Sequence, residues 1–220
     1  MAVIISIMIF LHCTFAQQKD AVKILNDIKL KYDLIKDYEV EAEIKFELSS
    51  IKVPDTKIKI YYKKPDKTKI QSDNFAMIPK QAVSFSPIDL FKSDYSAIFV
   101  RSELLDSKNV DIIKVIPNSD TTDIILSTLW IDSSEKLIRK IETVNKHSMT
   151  VRIDLSYNDN KYGLPSKVIF SFGSEEKNGN QTTQKNLGAN FRRSLNGTVT
   201  IIYSNYKINK GIPDKIFMNN

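Results

Sequence analysis

With 220 residues and 42% hydrophobic side chains, the chain is long enough for one domain with a real core and too apolar to be disordered by composition. One cysteine excludes a disulfide framework and a cysteine-based zinc site, and the six glycines never form a phosphate-binding loop. The 32 basic residues against 26 acidic ones leave a net charge of +6, which raises the question of a nucleic-acid partner.

Chain order begins with an almost unbroken apolar run from Ala2 to Leu11. About ten apolar residues are too few to span a bilayer, which takes about twenty, but they suit the hydrophobic region of a secretory leader. Thr14 and Ala16 supply the small residues of a cleavage site, so cleavage is expected after Ala16, leaving residues 17–220 as a single domain. Cys13 offers a competing reading, lipidation at that residue, although His12 stands where a small residue is expected. After cleavage at Ala16 the mature chain holds no cysteine and one histidine, His147, in an expected exposed turn.

Residues 18–36 place Ala21, Ile24, Leu25, Ile28, Tyr32 and Ile35 on one face of a 3.6-residue period, which predicts a helix. The period then changes to two. Tyr38, Val40, Ala42, Ile44, Phe46 and Leu48 alternate with Glu39, Glu41, Glu43, Lys45, Glu47 and Ser49, the pattern of a strand with one buried and one solvated face. Ile58, Ile60 and Tyr62 repeat it, and further strands are expected at 96–104, 110–117, 123–132, 136–144, 151–157, 168–172 and 199–203. Turn sequences such as "KPDK" and "NDNKYG" separate them. One helix followed by nine or ten strands, without βαβ alternation, predicts an α+β fold built on a half-open, curved antiparallel sheet. Residues 74–92, apolar but broken by Pro79 and Pro87, are expected to cap the open side as a loop or short helix. Residues 173–197, rich in Gly and Asn, are expected to form a long hairpin loop.

Catalytic patterns are missing. No GxSxG occurs, and Glu39, Glu41, Glu43 and Glu47 lie along one solvated strand face rather than opposing one another as an acid/base pair. Asp132, in "IDSSEK", is a candidate carboxylate that also reads as a turn residue. No enzyme activity, cofactor or metal site is expected. Segment 57–70 has six lysines and two tyrosines, the raw material of a single-strand nucleic-acid surface. Asp66 interrupts it, however, and the preceding strand offers Glu41, Glu43 and Glu47 opposite Lys57, Lys59 and Lys63. Cross-strand ion pairs explain the lysines without nucleic acid.

Several segments together resemble a known family: "AVKILNDIKLKYDLIKDYEVEAEI", the strand end "YYKKP", "TLWIDSSEKLIRKIE", "IDLSYNDNKYGLPSKVIFSF" and "VTIIYSNYKINKGIPDKIF". Across residues 20–218 the chain is similar to the LolA/LolB-like periplasmic carriers of outer-membrane lipoproteins. The resemblance implies an incomplete antiparallel barrel with helices plugging a concave apolar side, and a non-enzymatic function in shielding lipoprotein or lipid acyl chains. It also implies the periplasm of a Gram-negative bacterium, a monomer, and a docking protein in the inner or outer membrane. Lys64 and Pro65 match the basic residue and proline that end a strand in the carriers, where arginine is usual, and so become the candidate gate. An Asp-Gly hairpin of the carriers is replaced here by the 74–92 loop, which implies a divergent member. The expected lipid-lining residues are Ile44, Phe46, Ile58, Ile60 and Tyr62 from the strands, with Phe75, Met77, Phe85 and Phe91 from the loop. The alternative is an interaction or envelope-sensor module on the same fold with a filled core.

Overall fold

The structure is a computed structural model that describes residues 19–49, 52–72, 94–147, 149–159, 161–173 and 196–218. Phe75, Met77, Phe85 and Phe91, the 74–92 loop, the leader and Cys13 lie outside the described residues. Helix α1 (Ala21–Asp33) is followed by β1 (Asp37–Leu48), β2 (Thr56–Lys63), β3 (Lys67–Ser72), β4 (Tyr95–Leu105), β5 (Lys108–Pro117), β6 (Ile124–Asp132), β7 (Leu137–Asn145), β8 (Thr150–Ser156), β9 (Lys167–Phe172), β10 (Gly197–Ile208) and the single turn α2 (Lys215–Met218).

All ten strands form one antiparallel sheet in the order β3-β2-β1-β10-β9-β8-β7-β6-β5-β4. Strands β3 and β4 are its two edges, so the sheet is half-open and the α+β expectation holds. Two consecutive meanders, β1–β3 and β4–β9, are joined by β10, which pairs with β1 on one side and β9 on the other. The two-residue period decides which side chains enter the core. Val40, Ala42 and Ile44 of β1 meet Ile58 and Ile60 of β2 and Val199 and Ile201 of β10 in one buried cluster. Leu25, Ile28 and Tyr32 of α1 enter the same cluster.

Helix α1 begins at Asp20, whose carboxylate accepts the Lys23 backbone N–H at 3.1 Å and so satisfies one unpaired donor of the first turn. It ends where Asn209, just after β10, folds back on it. The Asn209 amide donates to the Leu34 carbonyl at 2.9 Å, and its carbonyl oxygen accepts the Lys36 N–H at 2.7 Å. Asn209 sits at φ +56°, a left-handed conformation that Asn tolerates better than other non-glycine residues. Asn209→Ala is therefore expected to cost about 2–3 kcal/mol, from two lost hydrogen bonds and backbone strain. Asn209→Asp, which keeps the acceptor, should lose less, and urea denaturation of the two variants against the parent measures the difference.

The charged outer face follows the expected register near its centre. Glu41 lies opposite Lys59 and Glu43 opposite Lys57. Lys59 reaches Glu39 at 3.5 Å and Glu41 at 3.6 Å. Strand β2 begins at Thr56, opposite Ile44, so Glu47 lies beyond its end and instead accepts a hydrogen bond from the Thr198 hydroxyl of β10. Lys63 faces Asp37 across the strands and sends its amine to the Ile212 carbonyl and to Asp214.

Candidate functional site

Residues directly opposed across antiparallel strands share a face. Following the register from β4 to β1 gives an unbroken apolar row: Phe99, Ile113, Leu129, Ile141, Ile153, Phe170, Val199 and Phe46. A second row runs beside it, nearer the open strand ends: Ala97, Val115, Ser127, Thr143, Val151, Phe172, Gly197 and Leu48. Its two polar members satisfy each other, with the hydroxyls of Ser127 and Thr143 at 3.1 Å. The middle of the first row is buried, whereas Phe99, Phe46, Leu48, Val151 and Phe172 are half-buried.

Helix α1 packs on the same inner face. At its N-terminal end the Lys19 amine reaches the Asp111 carboxylate at 2.6 Å, beside Ile131 in a third row, and lies 5.9 Å from the Phe99 ring centroid. At its C-terminal end the helix meets Asn209 and packs the Tyr32 ring over Gly163, where an added Cβ would sit 3.5 Å from the ring. The helix thus runs over the inner face from Asp111 and Phe99 toward the Asn209 end of β10, and its buried side chains share one cluster with the middle of the first row. On that far side Tyr32, Tyr157, Tyr203 and Tyr206 cluster, and burial pushes their hydroxyls well above the ordinary tyrosine range. These phenols stay neutral at physiological pH.

Asp111 is the polar anchor of the inner face. Besides Lys19 it accepts the hydroxyls of Ser102 and Ser133, each at 2.6 Å. Burial alone would raise its pKa, but the hydrogen bonds and the Lys19 charge outweigh it and hold the carboxyl below its ordinary 3.8. A depressed folded pKa makes a contribution to stability that is complete above the unfolded value and is lost as pH falls through the folded one. Acidification below about 4 should therefore release the N-terminal end of α1. The parent should lose more stability between pH 7 and pH 3 than Asp111→Asn does, as read from urea midpoints at the two values.

Of the strand residues expected to line a lipid site, Ile44, Ile58 and Ile60 are 0%, 5% and 3% exposed and belong to the sealed core. Phe46 and Tyr62 are half-buried but far apart along β1, Phe46 on the first row and Tyr62 opposite Tyr38 with its ring stacked at 5.1 Å. Lys64 donates to the Asp33 carbonyl at 2.9 Å and to its carboxylate at 3.1 Å, so it ties the β2 end to the last turn of α1. Lys64→Ala is expected to cost about 0.5–1 kcal/mol, the usual value for an exposed pair helped by a helix C-terminus. Asp132 proves to be a turn organiser: it accepts the Ser134 hydroxyl and the Glu135 N–H and pairs with Arg139 at 3.0 Å. His147 is exposed in the β7–β8 turn, its N–H accepted by Asn145.

Sequence reasoning did not find Phe99, Val151 or Phe172 as site residues. Alternation puts Val151 and Phe172 on the apolar side of their strands, and Phe99 falls within an expected strand, but only the register shows that the three stand in these rows. Among the described residues there is no cluster of three metal-ligating side chains, and no helix is long and apolar enough to cross a membrane. An open groove of about 460 Å³ lies over the charged side of β1–β3, where Glu41, Glu43, Lys57 and Lys59 offer nothing to an apolar ligand.

No family model matches the sequence, and no curated protein matches it. Solved structures do. An outer-membrane lipoprotein-sorting protein domain from Vibrio parahaemolyticus superposes with a TM-score of 0.64 at 9% identity, over 90% of this chain and 96% of that one. A LolA superfamily protein from Nitrosomonas europaea superposes with a TM-score of 0.60 at 15% identity, over 91% and 98%. The chain has the LolA-like fold. A DUF1329 family protein from Desulfovibrio piger shares that fold, with a TM-score of 0.62 at 16% identity over 90% and 98%. In this LolA-like sheet the strand end expected from the resemblance, Lys64-Pro65, lies against α1, and the two apolar rows occupy the neighbouring part of the same face.

Proposed function

We propose that this chain is a non-enzymatic carrier or binder of lipoprotein or lipid acyl chains, working in the periplasm of a Gram-negative bacterium after a leader is cleaved behind Ala16. The observation that carries the reading is the pair of apolar rows across eight strands of a sheet that never closes, bordered by half-buried Phe46, Leu48, Phe99, Val151 and Phe172. An acyl chain laid along them contributes about 0.8 kcal/mol for each methylene removed from water, so affinity needs no polar recognition. Phe46 borders the first row, Ile44, Ile58 and Ile60 pack in the core behind it, and Tyr62, Phe75, Met77, Phe85 and Phe91 complete the proposed lipid-lining set. Lys64 and Pro65, at the C-terminal end of α1, act as the gate. The names of two solved neighbours, a lipoprotein-sorting domain and a LolA superfamily protein, support the reading. The chain acts as a monomer that hands its cargo to a membrane docking protein.

A second reading, an interaction or envelope-sensor module with a filled core, is favoured by the sealed state of Ile44, Ile58 and Ile60. Native mass spectrometry of protein recovered from its own envelope separates the two. Co-purified acyl chains that a fluorescent fatty acid displaces support the carrier. Protein that is ligand-free and does not take up the fluorescent fatty acid supports the module. Nucleic acid is not a proposed partner, because the lysines of β2 stand among the glutamates of β1.

A further inference from the structure

Helix α1 has a second apolar surface. Ala21, Leu25, Ile28 and Tyr32 are buried, yet Val22, Leu30 and Leu34, the last being its C-cap, are 47%, 63% and 56% exposed. At about 100° per residue, Leu30 projects opposite the buried stripe, with Leu34 and Lys23 beside it. The charges around these side chains are not balanced. Asp27 is met by Lys136 at 3.9 Å and Asp33 by Lys64 at 3.1 Å, whereas Lys23, Lys29 and Lys36 carry no ion pair among the described residues. Aliphatic side chains on the outer helix surface, Leu30 and Leu34 beside Lys23 and Val22 beside Lys29, fit neither plain solvation nor a groove for a protein helix. They match a surface that lies in a headgroup layer, with leucines entering the acyl boundary and lysines on the phosphates.

We propose that the outer face of α1 docks the protein on an anionic lipid bilayer. The same helix closes one side of the inner face, so the membrane contacts the element that borders the apolar rows. This proposal does not rest on acyl-chain binding and stands or falls separately from it.

The test is flotation with vesicles of phosphatidylcholine alone or with phosphatidylglycerol added, using the chain as recovered from a secreting host. Lys23→Glu with Lys29→Glu should lower partitioning onto the anionic vesicles about twenty-fold or more, since each lysine near such a surface is worth about 1 kcal/mol. Leu30→Glu with Leu34→Glu should lower it as well, while Lys114→Glu, on the outer face of β5, leaves it unchanged. A nitroxide carried by Leu30→Cys in a Cys13→Ser background should become accessible to oxygen in the bilayer, which reports the helix face directly. Equal binding of parent and variants, or a nitroxide that stays in water, overturns the proposal. Retention by an acidic protein with no vesicle binding overturns it too, and would move the face to a protein partner. Fatty-acid displacement measured on the same samples shows whether the acyl reading fails independently.

Discussion

Replacing Phe46 and Phe172 together by aspartate is expected to abolish uptake of a fluorescent fatty acid while the protein stays folded. Both side chains are half-buried, Phe46 at the β1 end of the first row and Phe172 in the second row at the end of strand β9, so a carboxylate there keeps part of its hydration in the ligand-free protein. The substitution then costs about 1–2 kcal/mol of stability for each residue. A bound acyl chain would strip that hydration without offering a partner, which costs on the order of 3 kcal/mol or more and lowers affinity about a hundred-fold or more. Ile44→Asp is the contrasting variant. Ile44 of β1 is fully buried between Thr56 of β2 and Ile201 of β10, and an unpaired carboxylate there should unfold the domain outright. Displacement titration combined with circular dichroism distinguishes the outcomes. A folded Phe46→Asp, Phe172→Asp protein that still binds the fatty acid at parental affinity would sink the assignment of these rows as the lipid path.

Gly197→Ala is expected to be the most damaging small substitution among the described glycines. Gly197 has φ +148°, and an added Cβ would land on the Glu47 carbonyl oxygen and 2.8 Å from the Leu48 Cα. Those atoms belong to the backbone of β1, so no side chain can rotate away. The end of the β1–β10 ladder must open, at a cost of about 3–5 kcal/mol, and the second apolar row loses its Leu48 border. A thermal midpoint within a few degrees of the parent would show that the strand end yields and that the close approach is not a constraint.

Much of this architecture was legible in the sequence because its causes are local. Strict alternation from Tyr38 to Ser49 fixed both the strand and its buried face, and the spacing from Ala21 to Ile35 fixed α1, although the helix proper is shorter at each end than the predicted 18–36. Turn residues separated the strands within two residues of their ends, except that β10 runs on to Ile208, five residues past the expected 203. What failed to show was anything set by register. Glu47 was paired with a lysine of β2 that β2 does not extend to reach, since its first residue faces Ile44. The same ignorance of register hid the candidate site. Ile44, Ile58 and Ile60 looked equivalent to Phe46, and only burial in the assembled sheet separates core from border. Asp111 also escaped notice, because an aspartate within "VDIIKV" gives no sign that Lys19, 92 residues earlier, will lie 2.6 Å away.

The place of β10 in the sheet has a consequence for how the molecule comes into being. The β4–β9 meander can assemble from neighbours in sequence, and so can β1–β3, but the two share no strand pair of their own. Tyr38 finds Ile208 and Phe46 finds Val199 only after almost the whole polypeptide is present. Such late contacts slow folding, because the entropy of closing so long a loop is spent before any of them forms. On the proposed export route, where the chain would cross a translocation channel unfolded, such a delay is an advantage. Until those contacts form, the chain holds at most two unfinished half-sheets, and the domain locks when its last long strand slides between them.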